Sequence, residues 1–248
     1  MTIVYEERPS DSPYVETVTY GHTVNSGSTI RPAEIRWHMV FTRHEGQIHP
    51  LLVGPLTMAG SVSWGEGAEI LWIRFKLGTF IPHLPTRNLL DMETLLPDAS
   101  SNAFWLKGSA WQFPDYENVD TFIDRLVRDE IIVSDPVVTA ALEDEQPDIA
   151  SRTLRHRFLR ATGLSQNYVR QFERAQYAVS LLHQGVSILD TVYEAGYFDQ
   201  PHLTRALKQF VGYTPAQIVA MSAAASQAIQ DPGLVMDDHA HVLTEISE

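Results

Sequence analysis

SILDTVYEAGYFDQPHLTRALKQFVGYTPAQI, residues 187–218, reads as two short helices joined by a tight turn. SILDTVYEAGY is amphipathic and ends at Gly196. Asp199 can cap the helix that follows, and Pro201 suits its first turn, where a missing N–H is no loss. Leu203, Ala206, Leu207 and Phe210 recur at helical spacing as an apolar seam. Pro201, Arg205 and Lys208 centre the opposite face, with His202 and Thr204 on its flanks. Gly212 stands where a helix stops. Helix, glycine-bearing turn, helix is the helix-turn-helix arrangement, and its second helix is sized for a B-DNA major groove about 12 Å wide.

The same plan occurs upstream in SRTLRHRFLRATG, residues 151–163. Ser151 is the expected cap, Leu154, Phe158 and Ala161 face one way, and Gly163 is the stop. Arg152, Arg155 and His156 face the other way at spacings of three and four. The supporting helix of this unit is expected in DPVVTAALEDE, residues 135–145, opened by Asp135 with Pro136 at the first helical position. The turn EQPDIA after it is looser than the downstream one. Between the units, Tyr168, Phe172, Ala175, Val179 and Leu182 mark one continuous helix. Over residues 165–183 it would span roughly 28 Å at 1.5 Å per residue. Successive major grooves on one side of a duplex lie about 34 Å apart, so such a rod suits two reading helices in adjacent grooves.

Charge follows the same division. The chain carries a net charge of −13, yet residues 151–220 hold 8 basic against 4 acidic residues. Residues 1–150 hold 10 against 22, and residues 221–248 hold none against 5. A basic block between acidic ones suggests one local surface for a polyanion. Charge alone leaves open whether these arginines only solvate a helix face. An arginine in the major groove can donate two hydrogen bonds to guanine O6 and N7, worth about 1–3 kcal/mol of discrimination. Arg157, Arg160, Arg170 and Arg174 are better suited to phosphates or internal ion pairs.

These features resemble the DNA-binding domain of the AraC/XylS family of bacterial transcription regulators. The resemblance covers roughly residues 118–219. It is carried by Ser187, Ile188, Gly196, Tyr197, Leu203, Arg205, Lys208, Phe210, Gly212, Thr214 and Pro215 in the second unit. Leu154, Phe158, Gly163 and Ser165 fit the first unit; Arg174, Ala175, Leu181, Leu182 and Gly185 fit the linking helix. Thr191 and Val192 depart from the usual isoleucine and alanine, and the first unit lacks the usual phrase before its reading helix. The resemblance implies base contacts from Arg152, Arg155 and His156 in the first unit. In the second it implies them from Gln200, Pro201, His202, Thr204 and Arg205. It further implies double-stranded DNA as partner, a cupin-like sensor in the first half, and a small-molecule effector that repositions the DNA-binding half. A homodimer is compatible, as is RNA polymerase as partner of an activator.

The first half speaks in strands. Residues 1–30 read as irregular, but EIRWHMVF, PLTMAGSVS and EILWIRFKL are β-branched and aromatic runs bounded by Gly and Pro. In the last run Leu71, Ile73, Phe75 and Leu77 share one face while Trp72, Arg74 and Lys76 share the other. After about Pro114 the period turns helical, with Val119, Phe122, Ile123 and Leu126 in step. The expected fold class is α+β: an N-terminal β-sandwich or cupin-like barrel, then an all-α domain with two helix-turn-helix units. The expected division is a β-rich sensor or dimerisation domain at 1–114, the DNA-binding domain at 115–220, and a disordered acidic tail at 221–248.

Other chemistries find less support. The chain has no cysteine, which removes disulfides, thiolate metal sites and a thiol nucleophile. MTIVYEERPS is acidic where a secretory signal is basic, and no apolar run reaches a membrane span; a soluble, cytoplasmic protein is expected. His22, His38, His44, His49 and His83 include no His-x-His pair, and the pair His239 and His241, beside Asp237 and Asp238, lies in the tail. No metal or cofactor is expected. Trp37, Trp72 and Arg74 are candidate linings of an effector pocket, with ordinary core packing as the alternative for the tryptophans. No Gly-x-Ser-x-Gly elbow, phosphate loop or His-Glu-x-x-His occurs, so no catalytic residues are expected. The competing reading is a cupin-type metal-dependent enzyme with a fused regulatory helical domain.

Overall fold

The computed structural model describes residues 3–143, 145 and 147–230. The N-terminal half runs through β1 (Ile3–Pro9), β2 (Val15–Thr23), β3 (Gly27–Arg31), β4 (His38–His44), β5 (Gln47–Val53), β6 (Gly60–Trp64), β7 (Glu69–Phe75) and β8 (Thr79–Phe80). A single-turn helix, Thr86–Asn88, precedes β9 (Glu93–Leu95), β10 (Asp98–Ser100), β11 (Ala103–Leu106) and β12 (Ser109–Gln112). Then follow α1 (Val119–Arg128), β13 (Val133–Ser134), α2 (Pro136–Leu142), α3 (Ser151–Thr162), α4 (Gln166–His183), α5 (Ile188–Glu194), α6 (Gln200–Phe210) and α7 (Pro215–Gln230).

The alternation in EILWIRFKL places its strand in the interior of the largest sheet, whose order is β1-β2-β7-β4-β5-β9. On β7, Leu71, Ile73 and Phe75 are buried, while Trp72 and Arg74 on the other face are only half-buried. The apolar face packs on Phe104 and Trp111 from the small sheet β10-β11-β12. The strands form open sheets, so the architecture is β-rich then helical as expected, without closure into a barrel.

One expectation needs correcting, and two helices cut across the expected domain limits. Residues 1–30 are not irregular: β1 pairs with β2 in antiparallel register from Ile3↔Thr23 to Pro9↔Thr17, and β3 pairs with β6. Their period is hidden because β1 is a largely exposed edge strand, and because β2 has a register shift between Val15 and Thr17 that breaks the alternation. Helix α1 lies within the segment expected to be DNA-binding, yet Val119, Phe122, Ile123 and Leu126 pack into the β core. There Phe122 lies edge-on to Trp111, ring centroids 6.1 Å apart. Helix α7 continues to Gln230, past the expected boundary at residue 220. Residues 231–248 of the expected tail, His239 and His241 among them, lie outside the described residues. Among the described residues, no helix is long and apolar enough to cross a membrane.

The helices enclose a second core in which Phe158, Phe172, Val179, Leu203, Leu207 and Phe210 are all buried. Ala33, Ile35 and Phe80 of the β half belong to the same cluster, so the two halves share apolar surface. Helix ends leave carbonyls without intrahelical partners. Here the β half supplies donors to both α3 and α6. The Thr86 hydroxyl donates to the carbonyl of Ala161 at 3.0 Å, in the last turn of α3. The N–H groups of Ala33 and Ala59 donate to the carbonyls of Phe210 and Gln209, each at 2.7 Å, at the end of α6.

Gly212 stands at this junction with φ +90°, and a Cβ there would lie 2.4 Å from Ile30 Cγ2. Gly212→Ala is therefore expected to destabilise the chain by about 1–3 kcal/mol, from left-handed strain and overpacking together. A urea titration reads this as a lower midpoint; an unchanged midpoint would show that the β half does not press on the end of α6.

Asp135 is the N-cap of α2, accepting from the N–H groups of Val137 at 3.0 Å and Val138 at 3.4 Å. It also holds Arg157 of α3 through two hydrogen bonds of 2.6 and 2.8 Å. Burial alone would raise its pKa, but Arg157 and the two N–H groups hold it below the usual carboxylate value. A depressed carboxylate stabilises the fold above its unfolded pKa, about 3.9, and ceases to as pH falls through the folded value. Asp135→Asn keeps a capping oxygen and removes the charge. The stability gap between wild type and this variant is expected at pH 7 and should close as pH falls below about 3.9. Urea midpoints across pH 3–7 test it, and a constant gap would contradict the pairing.

Candidate nucleic-acid interface

The second unit is assembled from local chemistry. Ser187 caps α5, its Oγ accepting the N–H of Asp190 at 3.1 Å and donating to the Asp190 carboxylate at 2.6 Å. Helix α5 ends in Gly196 at φ +68°, a conformation that favours glycine. The Tyr197 N–H returns to the Val192 carbonyl at 2.8 Å, and its ring is buried in the turn. Asp199 caps α6 by accepting the His202 N–H at 2.7 Å. The His202 ring meets Tyr197 edge-on, centroids 5.1 Å apart. Leu203, Leu207 and Phe210 are buried; Gln200, Pro201 and Arg205 are exposed, with His202 and Thr204 half-buried beside them. Every sequence-stretch candidate on α6 thus lies on or flanking its solvent face.

The first unit follows the same logic with a different entry. Helix α2, the turn after it and α3 make up the pair expected at 135–163. Ser151 is not the cap. Helix α3 starts from Ala150, whose carbonyl accepts the N–H groups of Thr153 and Leu154, and no side chain caps it. Gly163 closes it at φ +75°, where a Cβ would come within 3.1 Å of the backbone of Thr86 and Arg87. Phe158 and Ala161 are buried and Leu154 half-buried, while Arg152, Arg155 and His156 are exposed.

The other arginines divide by partner. Arg157 is committed to Asp135. Arg160 lies over the Phe80 ring at 5.7 Å, and Arg174 over Tyr197 at 4.7 Å. Both ring contacts join elements across the domain, so these cations serve the fold. Arg170 is exposed on α4.

Helix α4 joins the units. Its 18 residues span about 27 Å at 1.5 Å per residue. Val169, Phe172, Ala175, Ala178, Val179, Leu181 and Leu182 are buried along it. Tyr168 and Phe172 meet Phe210 of α6 edge-on at 5.5 and 5.8 Å. The Tyr168 hydroxyl donates to the Thr57 carbonyl in the β half at 2.5 Å.

One side of α4 also walls a cleft of about 400 Å³ facing the sheet. Phe172, Gln176, Tyr177 and Ser180 line it from α4; Trp72, Arg74, Arg36, Glu34 and His38 line it from the β half. Of the three effector-pocket candidates, Trp72 and Arg74 are here. Trp37 is not: it is buried, stacked on Phe75 at 3.9 Å, and its indole N–H donates to the Thr79 carbonyl at 2.6 Å. It is core, as the alternative reading held.

Charge in the cleft is largely compensated. Arg36 pairs with Glu16 at 2.5 Å and Glu34 at 3.4 Å, and Arg74 lies 3.7 Å from Glu34. The Trp72 indole donates to His38 Nδ1. Burial pulls the His38 pKa down to about 4, with Arg74 and Arg36 adding to the effect against Glu34, so the ring is neutral near pH 7. Burial would raise the Glu34 pKa, but its cationic neighbours hold it low and the carboxylate stays ionised. Arg31, Glu34 and Arg36 escaped the sequence reading; the only local signal is the charge alternation in RPAEIR, residues 31–36, which surface strands share.

Residues 148–221 match the family model described as a helix-turn-helix domain. Over 89 residues the chain is 34% identical to the HTH-type transcriptional regulator RipA of Corynebacterium glutamicum, a match covering 35% of this chain and 27% of that relative. The shared stretch is therefore about a quarter of the relative's length. Two crystal structures of ToxT from Vibrio cholerae superpose loosely, at 11% identity and TM-scores of 0.34 and 0.35. Those superpositions cover 89% and 90% of this chain and 98% and 100% of the ToxT chains; the second ToxT structure holds (E)-4-(8-methylnaphthalen-1-yl)but-3-enoic acid. The C-terminal part of this chain, from α3 through α6 into α7, thus matches a helix-turn-helix domain.

Proposed function

We propose that the chain is a sequence-specific DNA-binding transcription regulator of the cytoplasm, with the β-rich half as its sensor. The observation that carries this is the pair of reading helices built to one plan. Each buries an apolar seam, each is held at its C-terminal end by the β half, and each turns basic and polar residues of its N-terminal half towards solvent. In helix-turn-helix proteins the N-terminal residues of the second helix reach base edges. Arg152, Arg155 and His156 on α3, and Gln200, Pro201, His202, Thr204 and Arg205 on α6, are the base-reading set. Among these Arg205 has the reach for a bidentate guanine contact. Arg170, on the linking helix, serves the phosphates.

An effector is proposed for the cleft between the sheet and α4. Its volume of about 400 Å³ is within the range of small-molecule sites, and Trp72 supplies an aromatic wall with Arg74 as a polar anchor. A ligand there would touch α4 directly, and any preference for one placement of α4 would shift the DNA-binding equilibrium by that difference in affinity. The helix-turn-helix match over residues 148–221 favours regulation over the enzymatic alternative.

The roles of the arginines give the test. Arg205→Ala is expected to cost about 1–3 kcal/mol on the best duplex and to relax preference at one base pair. Arg170→Ala should weaken binding to all duplexes alike and lessen the salt dependence by about one phosphate contact. Fluorescence anisotropy on a panel of single-position duplex variants separates the two. Uniform weakening by Arg205→Ala, with a base-specific effect of Arg170→Ala, would overturn the assignment.

A further inference from the structure

Phe198 is 89% exposed, more than any other large apolar side chain among the described residues. It stands in the turn between α5 and α6, immediately before the capping Asp199. Its neighbours are pinned on both sides. Tyr197 is buried with its N–H bonded to Val192, and Asp199 holds the first turn of α6. The backbone of Phe198 points its own N–H at His202 Nδ1, 3.5 Å away. A phenylalanine needed for packing would turn inward at this corner, as Tyr197 does. This one projects into water from a turn pinned on both sides, at the end of α6 that carries Gln200 and Pro201.

Exposing so much apolar surface is unfavourable unless something covers it, and the position narrows the choice. On α6, the exposed groups nearest to it in sequence are Gln200, Pro201 and Arg205, the surface proposed above for the major groove. The major-groove edges of the bases are polar except for the thymine 5-methyl, which side chains such as Phe contact. We infer that Phe198 is a specificity-determining residue that packs on a thymine methyl at the edge of the site read by α6. This rests on the DNA-reading function proposed above. It adds an aromatic apolar contact to a set that, apart from Pro201, is made of hydrogen-bonding groups.

The test uses the full chain and the duplex it enriches from a random-sequence pool. Each thymine of that duplex is replaced in turn by uracil, which removes the methyl and leaves the pairing edge intact. One position in the half-site of α6 should lose about fourfold in affinity, the effect of exposing one methyl group. In Phe198→Ala the same replacement should have no effect, and Phe198→Leu should retain part of it. Because the side chain makes no core contact, circular dichroism and melting temperature should match wild type in both variants. If every uracil effect is the same in wild type and Phe198→Ala, the inference falls while DNA reading stands. The same holds if Phe198→Ala changes self-association and leaves DNA affinity unaltered. If no sequence is enriched, both fall together.

Discussion

The last carbonyls of a helix must find donors, and in α3 and α6 those donors come from the other half of the molecule. Thr86 serves α3; the Ala33 and Ala59 N–H groups serve α6. The consequence is directional. Both α3 and α6 are tied at their C-terminal ends, farther from the residues proposed to read bases, so their placement is set by the β half. A shift at Thr86, Ala33 or Ala59 would reach α3 or α6 through one hydrogen bond.

Helix α4 carries the rest of the arrangement. One stripe of it packs Phe172 against Phe210 of the second unit, and an adjacent stripe, Gln176, Tyr177 and Ser180, walls the cleft. Opposite lie Glu34, Arg36, Arg74 and the neutral His38. Buried or half-buried charges of this kind are costly unless their partners are complete. Among them the Arg74 Nε is buried without a hydrogen-bond acceptor.

The helical half was legible because its signals are local. Asp199, Pro201 and Gly212 announce the limits of α6, and the seam Leu203–Leu207–Phe210 announces its inner face. The first unit was legible in outline, but Ser151 misled: a good capping residue one position too late is harmless inside a first helical turn, so composition cannot tell the two apart. The β half was less legible because its signals depend on partners. The bulge between Val15 and Thr17 erased the period of β2, and the edge strand β1 buries too little to show one. Helix α1 was found as a helix and misplaced as to domain, since an amphipathic stripe does not say which core it faces. The cleft was half visible: Trp72 and Arg74 stood out on one face of β7, whereas Arg36 and Glu34, in an irregular segment, gave no pattern to follow.

If α3 and α6 read DNA as proposed, their ties to the β half and to α4 fix the spacing of the blocks they read. The most direct measurement is the affinity of the full chain for its enriched duplex after inserting five or ten base pairs between the blocks read by α3 and α6. Five turn the second block to the far side of the helix; ten restore its face but move it by one turn, about 34 Å. Both insertions are expected to lower affinity at least tenfold, leaving the binding of a single unit. Affinity unchanged by either insertion, or restored by ten, would contradict a fixed strut between two reading helices.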